Sequence, residues 1–327
     1  MAEKISESRY LTIDNGRGLQ GTFSSIGAGI YSLTLDGKPL LLTPVDKEVY
    51  LNSDLFFGKT LGRVAGRIPS KLNLNFHTYQ LPENEPGVCL HGGLKESLSF
   101  KNFRTIIVTR EDKTYVIFRY ISSDSEAGFP GKVTVTITYI LPHDEDALVV
   151  DYEATSDDDT ILSLSNHMYF NFFGTENVND YTLQVRASKV GSFKKGTELI
   201  EKAKVVTPDL DFTSPAVLKD KLDTLDKSVS GRKGLDYTFL FDRNDSVDPQ
   251  IVLENDELRM EVITDYPAAN IFVDDSKSDI EFTNGVKPVA RRAIAIEPQC
   301  FPLEPFLLKP SRSYHYSVTY RFTRKRD

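Results

Sequence analysis

Histidine is scarce in this chain, and one of its five histidines, His167, lies between two asparagines and among aromatic residues in the stretch 165–174. The residues ahead of it predict two strands, so we place His167 at a strand end. Burial among rings would desolvate the imidazole and lower its pKa, and neighbouring amides could fix its tautomer. Such a group suits proton transfer near neutral pH. A hydrogen-bonded core histidine explains the same pattern equally well.

Two carboxylates stand at predicted strand positions. Glu297 follows an apolar run at 293–296, and we expect it to end that strand. A carboxylate there should be partly buried, with a raised pKa unless a cation pairs with it. Asp236 enters a predicted strand at 237–241, and on local grounds a turn-capping role explains it at least as well. Glu297 is harder to explain without a function, because an acid closing so apolar a strand needs a partner.

Two glycine-rich stretches carry the other polar candidates. The glycines of residues 58–68 lack the spacing of a phosphate loop and no helix follows them, which argues against a nucleotide site. Arg67 in this stretch could donate fixed hydrogen bonds to a polar ligand, and a surface charge is the plainer alternative. His91 precedes Gly92 and Gly93, which would let a ligand approach the backbone closely, or would form an ordinary turn.

The scaffold that must position these residues is predicted to be all-β. At 133–139 apolar residues alternate strictly with threonines, as in a half-buried antiparallel strand. Asp36-Gly37, between apolar runs at 30–35 and 40–42, is a strong hairpin signal. Further strands are predicted at 114–120, 147–154, 160–164, 181–187, 237–241, 250–253, 258–264, 270–273, 293–296 and 314–322. Helical periodicity is nearly absent, and the best short candidate is 219–228.

Many short strands separated by turn signals favour a sandwich or a barrel. No linker, repeat or low-complexity tract divides the 327 residues. We therefore expect an all-β fold, one large antiparallel β-sandwich that forms a single domain over residues 1–327.

Composition limits the partners. The 39 basic and 47 acidic residues give a formal net charge of −8, which argues against nucleic acid or an anionic membrane as a partner. No apolar run is long enough for a transmembrane helix, and the first residues lack the apolar core of a signal peptide. Cys89 and Cys300 form neither a zinc motif nor a disulfide framework. We expect a cytoplasmic protein that is a monomer or a homodimer.

Taken together and in this order, the motifs resemble those of the aldose 1-epimerase (galactose mutarotase) family over essentially the whole chain. Two elements are specific: Leu-His-Gly-Gly at 90–93 and Asn-His-Met-Tyr-Phe-Asn at 166–171. Shorter elements that match in the same register lie at 26–28, 62–68, 128–131, 210–212, 234–236, 297–302 and 307–310.

The resemblance implies a β-sandwich with a sugar cleft on one face, an aldose substrate, no cofactor and no metal. In that family the glutamate matching Glu297 is the general base, and the histidine matching His167 is the general acid. The histidine matching His91 sits by the ring oxygen of the sugar. The aspartate matching Asp236 binds sugar hydroxyls, and the arginine matching Arg67 lines the cleft.

Interconversion of α and β anomers requires removal of the C1 hydroxyl proton while the ring oxygen is protonated. The ring opens, the C1–C2 bond rotates, and the ring closes on the other face. This chemistry needs one base and one acid, which we expect on opposite sides of the hemiacetal, and neither metal nor nucleotide. We therefore expect Glu297 to start ionised and His167 to start protonated.

Departures from the family pattern lie at the rim of the expected cleft. Gly66 stands where many relatives carry asparagine, Tyr237 stands where a histidine is frequent, and residues 303–306 replace an acidic-small pair. These differences leave the preferred aldose open, including whether a disaccharide is accepted. Because the chain has no tryptophan, stacking against a sugar falls to phenylalanine or tyrosine, and Tyr169 is a candidate.

Three alternative functions stay open. The main one is a non-catalytic sugar-binding or regulatory protein on the same fold, although binding alone does not require both His167 and Glu297. A metallohydrolase would use two histidines and a carboxylate as zinc ligands, but no local ligand motif is present. A glycosidase would use Asp236 and Glu297 as its two carboxylates.

Overall fold

The computed structural model describes residues 2–6, 9–225, 234–242, 248–273, 279–283, 285–286 and 289–325. Its α-helices are α1 (Lys47–Asn52) and α2 (Leu218–Leu225), and short 3₁₀ turns cover Leu98–Phe100, Glu126–Gly128 and Phe172–Gly174. The strands, in chain order, are β1 Ala2–Ser6, β2 Tyr10–Asp14, β3 Leu19–Ser24, β4 Gly29–Leu35, β5 Lys38–Pro39, β6 Thr60–Leu61, β7 Arg67–Pro69, β8 Lys71–Leu74, β9 His77–Gln80, β10 Val88–Leu90, β11 Arg104–Thr109, β12 Lys113–Ser122, β13 Val133–Pro142, β14 Ala147–Ser156, β15 Thr160–Leu162, β16 Ser165–Asn166, β17 Tyr169–Phe170, β18 Thr182–Val185, β19 Lys189–Phe193, β20 Ile200–Val205, β21 Ala216–Val217, β22 Asp236–Leu240, β23 Ile251–Glu254, β24 Leu258–Thr264, β25 Ala268–Val273, β26 Ile294–Gln299, β27 Phe306–Leu308 and β28 Tyr314–Arg324.

These strands form a sandwich of antiparallel sheets, which confirms the predicted fold class. A ten-stranded sheet has the order β1-β11-β12-β13-β14-β28-β24-β23-β18-β21, and a six-stranded sheet has the order β17-β26-β25-β22-β19-β20. Neighbouring strands in both sheets pair antiparallel. Apolar side chains from both sheets, such as Tyr139 and Tyr152 from one and Ile271 and Ile296 from the other, form one core cluster. The core therefore lies between the two large sheets.

The hairpin predicted at Asp36-Gly37 is present. Both turn residues have positive φ angles, 53° and 74°, as a two-residue hairpin turn requires. The second strand covers only Lys38–Pro39, so the strand predicted at 40–42 is wrong. The Leu40 N–H still donates to the Leu33 carbonyl, and two residues later the Leu42 N–H donates to the Tyr169 carbonyl on the six-stranded sheet.

The helix predicted at 219–228 is found as α2, with residues 226–228 outside the described part of the chain. Helix α1 is absent from the sequence prediction because its six residues bury only Tyr50, which is too little to produce a helical period. The side chain of Asp46 caps its N-terminus by accepting from the Glu48 N–H at 2.8 Å. Within the described ranges, none of the helices combines the length and the apolar character that crossing a membrane demands.

Strand register gives the six-stranded sheet one polar face. Residues two apart on a strand share a face, and paired residues on neighbouring strands lie side by side. Ile271 and Ile296 therefore point to the core, and their sequence neighbours point away from it. The outward residues form two rows across the sheet: Thr238, Asn270 and Glu297 in one, and Asp236, Phe272, Ala295 and Tyr169 in the other.

Candidate active site

A cleft opens on this polar face of the six-stranded sheet. It is lined by Asp54, Leu55, Phe56, Arg67, Leu90, His91, His167, Tyr169, Asp236, Asn270, Phe272 and Glu297. The six residues predicted from the sequence all line this cleft. The segment 54–56, Asn270 and Phe272 were not among the predicted site residues.

His167 lies between β16 and β17 and is anchored through its backbone. Its N–H donates to the Lys59 carbonyl at 3.0 Å, and its own carbonyl accepts from the Gly58 N–H at 2.8 Å. The ring packs against Tyr169 and stacks on Phe56, with centroid separations of 4.7 and 6.3 Å. Burial lowers the pKa of His167 to about 4, in the direction that the sequence predicts.

The amides that flank His167 do not set its tautomer, so that expectation is wrong. The Asn166 side chain donates instead to the Gly58 carbonyl and the Tyr139 hydroxyl. The Asn171 side chain donates to the carbonyls of Thr175 and Arg292. Both asparagines therefore bind neighbouring backbone and hold the loop around the histidine.

Glu297 lies inside β26, two positions before its end, and so does not terminate the strand as predicted. The pairing with β25 continues past it, from Asn270↔Glu297 to Ala268↔Gln299. The side chain is only 1% exposed. Burial, with a contribution from the negative charge of Asp236, raises the pKa of Glu297 to about 8. Asn270 and Arg67 oppose this rise.

The two groups are neighbours, with 3.5 Å between Nε2 of His167 and Oε1 of Glu297. They therefore reach the cleft from one wall and not from opposite sides of a sugar. Their pKa values move in opposite directions, so the pair holds one proton between about pH 4 and about pH 8. Burial favours the neutral arrangement, in which the carboxyl carries that proton. The form expected from the sequence at the start of the reaction, with Glu297 ionised and His167 protonated, carries the same single proton on the other group.

Each member of the pair also has a buried polar atom that needs a partner. Nδ1 of His167 and Oε2 of Glu297 make no hydrogen bond within the described residues. Buried polar atoms are rarely left in this state, and those that are commonly serve a ligand or a reaction. These atoms are candidates for contact with a polar substrate.

His91 is held as a neutral donor. Its Nδ1 accepts the Gly66 N–H at 3.1 Å, so the neutral ring carries its proton on Nε2. Burial, together with the charges of His167 and Arg67, lowers the pKa of His91 well below its ordinary value. The next residue, Gly92, packs directly against the backbone of Gly62, where a β-carbon would clash with the carbonyl oxygen. His91 therefore presents a fixed N–H group at neutral pH.

Arg67 is clamped by two carboxylates at the edge of the cleft. Its Nε and Nη2 donate to Glu85 at 2.7 and 3.1 Å, and its Nη1 donates to Asp236 at 3.0 Å. Burial opposes the charge of Arg67, but the two carboxylates outweigh it and raise the pKa of Arg67 above its ordinary value. Glu85 was missed from the sequence because it lies in a loop far from Arg67 along the chain and carries no local motif.

Asn270 bridges the two carboxylates of the sheet face. Its Nδ2 donates to Oδ1 of Asp236 at 3.1 Å and to Oε1 of Glu297 at 3.4 Å. Its Oδ1 accepts from the Thr238 hydroxyl at 3.1 Å, which fixes the orientation of the amide. Only the register of three strands brings these groups together, so a lone asparagine in a predicted strand gave no signal.

The same wall offers a set of metal-binding side chains. One ligand atom from each of His91, His167 and Glu297 lies within 4.8 Å of the others. A tetrahedral zinc ion with bonds of about 2.0–2.1 Å needs ligand atoms about 3.4 Å apart. The three side chains could hold such an ion after a small inward movement, so the metal alternative requires an experiment.

Known proteins resemble this chain along nearly its full length. A family model described as aldose 1-epimerase matches residues 9–318. The aldose 1-epimerase of Escherichia coli K12 is 27% identical over 96% of this chain and 95% of that protein. The maltose epimerase of Levilactobacillus brevis is 27% identical over 97% and 95%, respectively. The crystal structure of an aldose epimerase homologue from C. elegans shares the fold, with a TM-score of 0.85, 24% identity and coverage of 97% of this chain and 99% of that one.

Proposed function

The chain belongs to the aldose 1-epimerase family and interconverts the α and β anomers of aldoses, and we propose that His167 and Glu297 are its catalytic acid and base. The observation that carries this assignment is the buried 3.5 Å contact between the two groups. Their pKa values are displaced in opposite directions, which is the usual mark of an acid–base pair. We propose glucose or galactose as the hexose substrate.

Ring opening transfers two protons, one from the sugar to Glu297 and one from His167 to the sugar. Ionised Glu297 takes the proton of the C1 hydroxyl, while protonated His167 gives its proton to the ring oxygen. Both oxygens are bonded to the same carbon, so an acid and a base on one wall can serve both. Each positioned proton donor or acceptor contributes roughly 10²–10⁴-fold to such a rate.

Burial favours the outcome of that step. When the ring has opened, Glu297 is protonated and His167 is neutral, which is the arrangement that a desolvated site stabilises. Rotation about C1–C2 is followed by the reverse transfers, which close the ring on either face and restore the ion pair. In the resting site the reactive ion pair forms by proton transfer across the short gap between the two groups.

Four further residues are proposed to bind the sugar. The fixed Nε2–H of His91 is suited to donate to the ring oxygen or a neighbouring hydroxyl. The linked side chains of Arg67 and Asp236 offer one donor and one acceptor for a pair of sugar hydroxyls. Tyr169 packs against His167 and is suited to cover the apolar face of the ring.

The alternatives make different demands on these residues. Both oxygens of Asp236 already accept hydrogen bonds, from Arg67 and Asn270, which leaves it poorly suited to act as the second carboxylate of a glycosidase. Release of reducing sugar from glycosides would nevertheless identify one. A metal-dependent enzyme would lose its activity to a chelator and regain it with zinc, whereas the acid–base pair predicts no change.

Polarimetry tests the proposal directly. Freshly dissolved α-D-glucose and α-D-galactose are followed at neutral pH with wild-type protein, His167→Asn, Glu297→Gln and the control His77→Asn, which changes an exposed histidine. We expect wild type and control to speed the approach to the same final rotation, and both site variants to lose orders of magnitude in rate. Acceleration by a folded Glu297→Gln protein would refute the assignment. No acceleration by wild type would favour the sugar-binding alternative.

A further inference from the structure

Lys59 is a buried cation outside the cleft lining. Its side chain is fully buried, and its Nζ donates to the Leu51 carbonyl at 2.7 Å. The ammonium group also lies 3.9 Å from the ring centroid of Phe100 and 5.6 Å from that of Tyr50. Burial alone lowers the pKa of Lys59 to about 7, with no compensating carboxylate among the described residues.

Stability does not explain a lysine at this position. Burial of an ammonium group without a carboxylate costs free energy, and one carbonyl and one ring face offset only part of that cost. A methionine would fill a similar volume with no charge to desolvate. The head group is therefore expected to serve a purpose that an apolar side chain cannot.

The first contact of Lys59, with the Leu51 carbonyl, lies just before the cleft-lining residues 54–56 in the chain. Leu51 lies at the C-terminal end of α1, which has no basic residue in its last turn. Lys59 therefore satisfies one of the carbonyl groups that a helix end leaves without a partner. Residues 54–56, which line the cleft, follow two positions after the helix ends.

The second contact of Lys59, with the Phe100 ring, is connected to His91 and His167 through packed aromatic rings. The Phe100 ring beneath the ammonium group lies 5.9 Å from the Phe56 ring, centroid to centroid. Phe56 in turn lies edge-on to His91 at 5.1 Å and stacks on His167 at 6.3 Å. The side-chain nitrogen of Lys59 thus contacts both helix α1, which precedes residues 54–56, and the Phe100 ring, which packs against Phe56.

We propose that Lys59 is a positioning residue, whose side-chain nitrogen ties the end of α1 to Phe100 and thereby holds Phe56 against His91 and His167. Its kinetic consequence rests on the proposed acid–base function, but its structural consequence does not. Misplacement of a catalytic group by about 1 Å can cost on the order of 10²-fold in rate. A less firmly held Phe56 should therefore lower kcat/KM.

The test compares Lys59→Met with Lys47→Met. Lys47 lies on α1 itself, with its Nζ 4.6 Å from the Tyr10 ring centroid, so the control also removes a lysine–ring contact near the same helix. Each protein is examined by thermal unfolding, by amide hydrogen exchange of residues 51–57, and by polarimetry. For Lys59→Met we expect an unchanged or higher melting temperature. Exchange in 51–57 should be roughly tenfold faster, and kcat/KM roughly tenfold lower. The control should match wild type.

Two outcomes would overturn the proposal: unchanged exchange in 51–57, or an unchanged kcat/KM, in a folded Lys59→Met protein. Lys59→Gln, which keeps an N–H donor without the charge, replaces it in the same comparison if Lys59→Met does not fold. Should wild type itself lack mutarotase activity, the proposed function fails. The exchange comparison still decides whether Lys59 holds residues 51–57 in place.

Discussion

Nε2 of His167 lies 3.5 Å from Oε1 of Glu297, and both side chains are almost completely buried. At this separation the pair acts as one site that carries zero, one or two protons. Only the form with one proton contains both an acid and a base. The pH range of activity should therefore follow the two titrations of the pair, whichever group holds the proton at rest.

We predict a bell-shaped dependence of kcat/KM on pH. Below about pH 4 both groups are protonated and the base is lost; above about pH 8 both are deprotonated and the acid is lost. Initial rates of mutarotation, measured by polarimetry and corrected for buffer catalysis, check this at pH values on both sides of each limit. A rate that keeps rising well above pH 8 would contradict the assignment of the shared proton.

Glu297→Gln should stabilise the protein at neutral pH while it abolishes activity. The pKa of Glu297 is raised from 4.5 to about 8, so between these values the unfolded chain ionises while the native carboxyl keeps its proton. Native stability therefore falls as pH rises through this window, and glutamine removes the loss. Integration of the shift to pH 7 gives a gain of about 3 kcal/mol.

Urea unfolding of wild type and Glu297→Gln at two pH values measures this gain. At pH values below 4.5 both states of the wild type are largely protonated, so the difference between the two proteins should shrink toward zero. A constant difference at both pH values would mean that packing, and not desolvation of the carboxylate, separates the variants.

The sequence is informative about single residues with unusual surroundings. His167 is one of few histidines, and Glu297 follows an apolar run, so both could be singled out before the fold was known. Their separation and their protonation depend on burial and on distances between distant strands, which no local pattern encodes. For that reason the placement of acid and base on one wall, and not on opposite sides of the substrate, could not be predicted.

The residues that support the site were harder still to predict from the sequence. Asn270 acts through its register with Thr238 and Glu297, and Glu85 acts through a loop that reaches Arg67. A lone asparagine or glutamate is common in any chain, so neither type nor spacing marks these residues. The alternation that predicts the strands does not give the order in which the strands pair.

Asn270→Ala should move the basic limit of activity to higher pH. The amide of Asn270 lowers the pKa of Glu297 by donating to its carboxylate, so its loss should raise that pKa further. We expect kcat to fall roughly tenfold, because the carboxylate also loses its orientation. Thr238→Val, which removes only the hydroxyl that orients the amide, should give a smaller shift in the same direction. An unmoved basic limit with reduced kcat would leave Asn270 with a packing role only.

Arg67→Lys should weaken sugar binding more than it slows the chemistry. Arg67 holds Glu85 through two nitrogens and Asp236 through a third, and an ammonium group cannot reproduce that planar fork. Asp236 would lose its fixed position, so the sugar hydroxyls would meet a less ordered pair of partners. We expect KM to rise by roughly 10-fold, as the loss of one charged hydrogen bond implies, with kcat reduced much less.

Glu85→Gln tests the contact of Arg67 that lies farther from the sugar, and the double variant shows whether the two residues act together. If Glu85 works through Arg67, the effects on KM will be clearly less than additive. Independent effects would instead indicate that Glu85 contacts the sugar itself.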